Sequence, residues 1–133
     1  MSGVVRFSVS VAPDLLEEFD DLTKRLGYNR SNAIQVAMRD FLTHHAMKQE
    51  EGRIVGAITM IYDHHVHGLG EELTDIQHHN MKVITSTTHV HLDERNCLEI
   101  LAVKGEVGEI KELAKNLMNT RGVKQLKISA LKI

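Results

Sequence analysis

The sequence predicts an α+β protein in two parts: a short strand followed by two helices, then a βαββαβ domain. Three observations carry this prediction. Residues 4–11 alternate strictly between apolar and polar. Apolar residues recur at helical spacing in two stretches between residues 13 and 47. From residue 54 onward the patterning runs strand, helix, strand, strand, helix, strand.

In the first strand Val5, Phe7, Val9 and Val11 are apolar while Arg6, Ser8 and Ser10 are polar. Period two of this kind describes a strand with one wet face. Ala12-Pro13-Asp14 ends it, and Pro13 suits the first turn of a helix, where its missing N–H costs nothing. Leu15, Leu16, Phe19, Leu22 and Leu26 share one helical face, and Gly27 stops that helix. Asn29-Arg30-Ser31 supplies cap candidates for a second helix, with Ile34, Ala37, Met38, Phe41 and Leu42 as its apolar face, running to about Met47. A unit this small cannot bury a core alone, and a lone strand leaves an unpaired edge. Both problems vanish if two chains pair their strands antiparallel and interleave their helices, so the unit implies a dimer.

Residues 48–53 are polar and contain a glycine, which sets a boundary between domains at 1–48 and 53–133. Residues 54–63 read as a buried strand, 64–70 as a loop or helix start, 71–79 as a short helix. A strand over 81–92, the turn Asp93-Glu94-Arg95-Asn96 and a strand over 97–104 follow. A helix over 106–120 carries Val107, Ile110, Leu113, Leu117 and Met118 on its apolar face, Gly122 ends it, and 123–131 form the last strand. This order is the split βαβ, ferredoxin-like arrangement: four antiparallel strands with two helices on one face.

Composition narrows the function. The single cysteine cannot form an internal disulfide, as in a reducing compartment, and neither a signal peptide nor a membrane span is visible; a cytoplasmic protein is expected. A formal net charge of -2 means that any nucleic-acid contact must come from a few placed basic residues and not from a global positive field. Nine histidines are many for 133 residues, which points to metal binding or to solvated surface imidazoles.

His89 and His91 are two apart in a predicted strand, so their side chains leave one face. Cys97 and Glu99 share a face of the next strand, and a tight hairpin can make it the same face. The expectation is two imidazoles and one thiolate on the exposed side of the sheet, with Ile84, Val90 and Leu92 turned under the helices. Imidazole and thiolate suit borderline and soft metals, and bound metal would keep Cys97 deprotonated. Glu99 is placed to hydrogen-bond a ligand. Three ligands leave at least one position open, which His78 or His79 could fill from the same or a neighbouring chain. A planar set would suit Ni(II) or Cu(II), a tetrahedral one Zn(II). The plain alternative is a hairpin with two surface histidines and a partly buried cysteine. His44, His45, His65 and His67 are read as solvated surface, with weaker external metal sites as the alternative.

The polar face of the N-terminal strand offers a second constellation. Paired across a dimer, Arg6, Ser8 and Ser10 would form a ribbon of the size the DNA major groove admits. The second helix opens at Asn29-Arg30-Ser31, where free backbone N–H groups favour a phosphate. A merely solvated dimerisation strand is the alternative.

Taken together, Arg6 to Ser10, Leu26-Gly27-Tyr28-Asn29-Arg30-Ser31, Gln77-His78-His79, Thr88-His89-Val90-His91 and Cys97-Leu98-Glu99-Ile100 closely resemble the nickel-responsive transcriptional regulators of the NikR family, over nearly the whole chain. The resemblance implies an N-terminal ribbon-helix-helix DNA-binding domain and an ACT-type regulatory domain. It implies one Ni(II) per chain, bound by His89, His91 and Cys97 of one chain and by His78 across a tetramer interface. It implies a homotetramer, a dimer of dimers, that binds a palindromic operator when nickel-loaded and represses nickel-uptake genes. Arg6, Ser8 and Ser10 match the base-reading positions, with Ser where better-known relatives carry Thr, which implies a different operator. Tyr62 and His64 match positions near the metal. Asn32 and Val36 stand where some relatives carry acidic residues for a potassium ion, which puts that site in doubt.

A sensor of another metal (Cu, Co or Zn) with the same architecture is the alternative within the class. A metalloenzyme is disfavoured, because a catalytic metal keeps an open position beside a general base and no nucleophile–base pair stands out. A small-metabolite module would leave the histidine and cysteine placement unexplained.

Overall fold

The computed structural model describes residues 3–133. Its elements are α1 (Pro13–Leu26), α2 (Arg30–Gln49), β1 (Arg53–Asp63), α3 (Leu69–His79), β2 (Ile84–His91), β3 (Asn96–Glu106), α4 (Val107–Met118) and β4 (Val123–Lys132). Residue contacts divide the chain into two compact units, the second beginning at Arg39, so that the division falls within α2.

In the first unit, residues 4–12 form no strand. The expected strand at 4–11 has no neighbour to pair with in one chain, and a strand exists only by its ladder of hydrogen bonds. Its apolar residues stay open: Val5, Phe7 and Val9 are 87%, 64% and 68% exposed. The helices form where the sequence placed them. Pro13 opens α1, and Gly27 closes it at φ 79, donating its N–H to the Lys24 carbonyl while Tyr28 N–H bonds the Thr23 carbonyl. This is the left-handed helix end that glycine adopts without steric cost. Asn29 caps α2: its Oδ1 accepts the Asn32 N–H at 2.8 Å.

In the second unit the four strands lie in the order β2-β3-β1-β4, all neighbours antiparallel. This is the ferredoxin-like arrangement that the element order predicts. Ile54, Ile58, Met60 and Tyr62 of β1 and Cys97, Leu101 and Val103 of β3 are buried on one side of the sheet. They share a core with Leu69 and Leu73 of α3 and with Val107, Ile110, Leu113, Ala114 and Leu117 of α4. Ala46 and Met47, near the end of α2, join it.

Several boundaries differ from expectation, and two of them border the site. Helix α3 begins at Leu69, two residues early, behind Gly68 at φ 78. Strand β2 begins at Ile84, not at residue 81, because Asn80 turns the chain: its carbonyl accepts the N–H groups of Val83 and Ile84, and its Nδ2 donates to the Ile76 carbonyl. Among the described residues no helix is long and apolar enough to cross a membrane.

Candidate metal centre

The β2–β3 hairpin turns on one carboxylate. Asp93 Oδ1 accepts the N–H groups of Arg95 (2.8 Å) and Asn96 (2.7 Å), and its Oδ2 accepts Asn96 Nδ2 at 3.0 Å. These donors favour the ionised form and hold its carboxyl pKa down to about 2. The turn fixes a register in which His91 faces Cys97 and His89 faces Glu99. Strand β1 continues the rows, with Tyr62 opposite Cys97 and Met60 opposite Glu99.

This register overturns the expected face. Cys97 and Glu99 alternate in phase with the buried Leu101 and Val103, so both point to the helix side of the sheet, and their partners His91 and His89 point there too. Val90 and Leu92, expected beneath the helices, lie on the opposite face and are 39% and 49% exposed. Ile84 does pack against the core, and pairs with Val103, because the register shifts between Ile84 and Ser86. The shift inserts one residue and reverses the parity of everything after it. The histidines remain exposed because β2 is an edge strand.

Donor atoms converge at one end of the sheet. Cys97, with no exposed surface, lies with its Sγ 3.6 Å from His91 Nδ1. His64, from the loop after β1, joins them: one donor atom each from His64, His91 and Cys97 lie within 4.8 Å of one another. The loop is tied to the hairpin, since His64 N–H donates to the Arg95 carbonyl (2.9 Å) and Arg95 pairs with Asp63 at 3.9 Å. His89 stands beside them, its ring 5.3 Å from that of His91, and its Nδ1 is 3.0 Å from the Tyr62 hydroxyl.

Without metal the surroundings favour the protonated forms of the Cys97 thiol and the Tyr62 hydroxyl. Burial, then the Glu99 carboxylate, push the Cys97 thiol up, against a hydrogen bond from Tyr62 that lowers it. Burial raises Tyr62 to about 12, with the charges of Glu99 and Cys97 adding to it. A metal binding Sγ must therefore displace a proton. A soft thiolate with imidazoles is a donor set for borderline transition metals, not for magnesium or calcium.

His78 is not in this cluster. It is exposed in the last turn of α3 and lines a shallow cavity of about 320 Å³ along β2 with Thr74, Gln77, Met81 and Thr85. Glu99 reaches this helix: its Oε1 accepts Gln77 Nε2 at 2.9 Å, one residue before His78. The sequence placed Asp93 in the turn and Gln77 in a family-like stretch, without the hydrogen bonds that each makes here. The Asp-x-x-Asn spacing at 93–96 was a legible sign of a side-chain-capped turn; nothing local marks Gln77. In the first unit Arg6, Ser8, Ser10, Asn29, Arg30 and Ser31 are all exposed, and Arg30 is paired with Asp20.

Residues 55–131, more than half of the chain, match the family described as the NikR C terminal nickel binding domain. The chain belongs to the nickel-responsive regulator family. A relative from Dictyoglomus thermophilum is 47% identical over 130 residues, covering 97% of this chain and 96% of its own. Others from Thermococcus onnurineus (44%, covering 94% and 91%) and Pyrococcus furiosus (42%, covering 95% and 92%) extend the likeness. Each bears the name nickel-responsive regulator; these relatives are regulators, not enzymes. Protein TM1266 from Thermotoga maritima shares the fold over 60% of this chain and 99% of its own, with a TM-score of 0.55 and 17% identity.

Proposed function

We propose that this member of the family is a cytoplasmic, nickel-dependent transcriptional regulator that binds a palindromic DNA operator and represses nickel-uptake genes. The observation that carries the reading is the hairpin register, which sets His91 against Cys97 beside His89, within a stretch matching a nickel-binding domain. One Ni(II) per chain would be held by His89, His91 and Cys97, with His78 supplied across a subunit interface in a homotetramer. Tyr62, His64 and Glu99 would stand around the ligands, Tyr62 by orienting His89 and Glu99 by anchoring the helix that carries His78.

Residues 1–48 would form a ribbon-helix-helix dimer and residues 53–133 the regulatory and tetramer-forming domain. Two features support assembly. In the first unit Phe7, Val9, Val11, Leu16, Phe19 and Ile34 are among the residues lining an open apolar cavity of about 480 Å³. In the second, the sheet face away from the helices carries Ile61, Leu98 and Ile100 only half-buried. Arg6, Ser8 and Ser10 would read bases, and Asn29, Arg30 and Ser31 would meet the DNA backbone.

A second metal reading rests on the compact His64, His91 and Cys97 set, which with one further ligand would suit a tetrahedral zinc or cobalt ion; copper would compete at any such site. The deciding experiment recovers an operator duplex by selection from random DNA and measures its affinity with metal-free, Ni(II)-, Zn(II)-, Co(II)- and Cu(II)-loaded protein. Nickel is expected to tighten binding by roughly 5–150-fold, the usual range of coupling between sites. Equal affinity with and without nickel would sink the regulatory claim, and a larger effect of another metal would favour the second reading.

A further inference from the structure

The turn between α1 and α2 folds the chain back so that two residues ten apart in sequence meet. Arg30, the first residue of α2, donates Nε to Asp20 Oδ1 at 3.0 Å and Nη2 to Asp20 Oδ2 at 2.6 Å. The pair is not itself buried: the Arg30 side chain is 58% exposed and that of Asp20 is 36% exposed. Its supports are fixed. The Asp20 carbonyl accepts the hydroxyl of buried Thr23 at 3.0 Å, and Asn29 caps the helix that Arg30 begins.

A guanidinium has five N–H donors in one plane. The fork onto Asp20 uses Nε and one hydrogen of Nη2, which occupies a single edge. Of the three remaining hydrogens, one on Nη2 and one on Nη1 share the Nη1–Nη2 edge and the third, on Nη1, points to the Cδ side; Nη1 has no partner among the described residues. Because the group is planar and rigid, fixing one edge fixes the direction of the other. The Nη1–Nη2 edge is also one that matches two phosphate oxygens at once. An exposed ion pair adds little to stability, so its effect should be felt in what the free edge meets.

We propose that Asp20 is a positioning residue for DNA binding: it grips one edge of Arg30 so that the other edge is aimed at a backbone phosphate. The inference rests on the DNA-binding reading above. Asp20 is held below the usual carboxylate range, first by its hydrogen bond from Arg30, so it stays ionised at neutral pH and the pair carries almost no net charge. Asp20 then contributes direction, at the cost of some long-range attraction to DNA. Losing it would free the arginine to wander and would also remove a negative charge near the duplex. These consequences have opposite signs, which makes the idea testable.

The experiment uses the full-length nickel-loaded protein, with the selected operator duplex and a random-sequence duplex of equal length, titrated across salt concentrations. Arg30→Gln is expected to weaken binding to both duplexes by about tenfold and to lower the salt slope by about one, as for loss of one phosphate contact. Arg30→Lys keeps the charge but not the fork, so it should lose similar affinity with the slope retained. Asp20→Asn should also lose several-fold with the slope retained, and adding it to Arg30→Gln should cost nothing more. Melting temperatures close to that of the parent would show that the variants fold. The proposal is overturned if Asp20→Asn binds both duplexes more tightly with a slope steeper by about one, since Asp20 would then mask Arg30. It is equally overturned if Arg30→Lys binds like the parent. Failure of the parent protein to bind either duplex would remove the DNA-binding reading itself, a distinct result.

Discussion

Cys97 shows how far one side chain's surroundings govern its chemistry. The thiol is buried, faces His91 across the hairpin and is kept protonated by burial and by Glu99. Cys97→Ala is expected to abolish the thiolate-to-nickel absorption band and to weaken nickel binding by at least about tenfold, measured by spectrophotometric titration; an unchanged band would remove Cys97 from the ligands. Without metal the same surroundings predict an alkaline weakness. Tyr62 ionises near 10 when unfolded but at about 12 in the fold, and Cys97 is shifted in the same direction. Between those values the native state holds protons that the unfolded chain has released, so stability falls as pH rises from about 10 towards about 12. Urea midpoints of the metal-free protein should show the fall, and Tyr62→Phe should flatten it. At this scale the sequence was informative about candidate donors, because His and Cys declare their chemistry. It could not show that His64 approaches Cys97, which depends on the Arg95 carbonyl holding the preceding loop.

Helix and strand patterns were legible where one face is buried and the other wet. Helix α4 runs from Val107 to Met118 with Val107, Ile110, Leu113 and Leu117 buried, on the positions that periodicity selects. Strand β2 was read three residues too long at its start, because Met81 and Val83 look strand-like while the turn is made by Asn80 through its own hydrogen bonds. Gly122 illustrates a junction that composition only hints at. Its φ is 104, and a Cβ there would lie 2.9 Å from Leu69 Cδ2 and 3.0 Å from Val66 Cγ2. Its carbonyl also accepts the Asp63 N–H at 2.9 Å, beside the loop that bears His64. Gly122→Ala should therefore destabilise the protein by about 1–3 kcal/mol through backbone strain and overpacking, read as a lower denaturation midpoint with an unchanged slope.

At the scale of the whole molecule, faces and partners matter most. The sheet side opposite the helices presents Ile61, Leu98, Ile100 and the 64%-exposed Leu131, an apolar surface of the kind that subunits cover. Ile100→Asp is expected to break the proposed tetramer into smaller species by light scattering while circular dichroism stays native-like; a variant of unchanged mass would place the interface elsewhere. The chain by itself determined the order of helices and strands from residue 13 onward and the sharing of one strand face by His89 and His91, because period-two alternation fixes which residues share a face. It did not determine which face. Parity has no sign until a strand is registered against its neighbours, and here the shift near Thr85 reverses it partway along β2. Only the tertiary structure decided that His89 and His91 stand on the helix side with Cys97, since that choice belongs to long-range pairing and to the burial of Leu101 and Val103 beneath the helices.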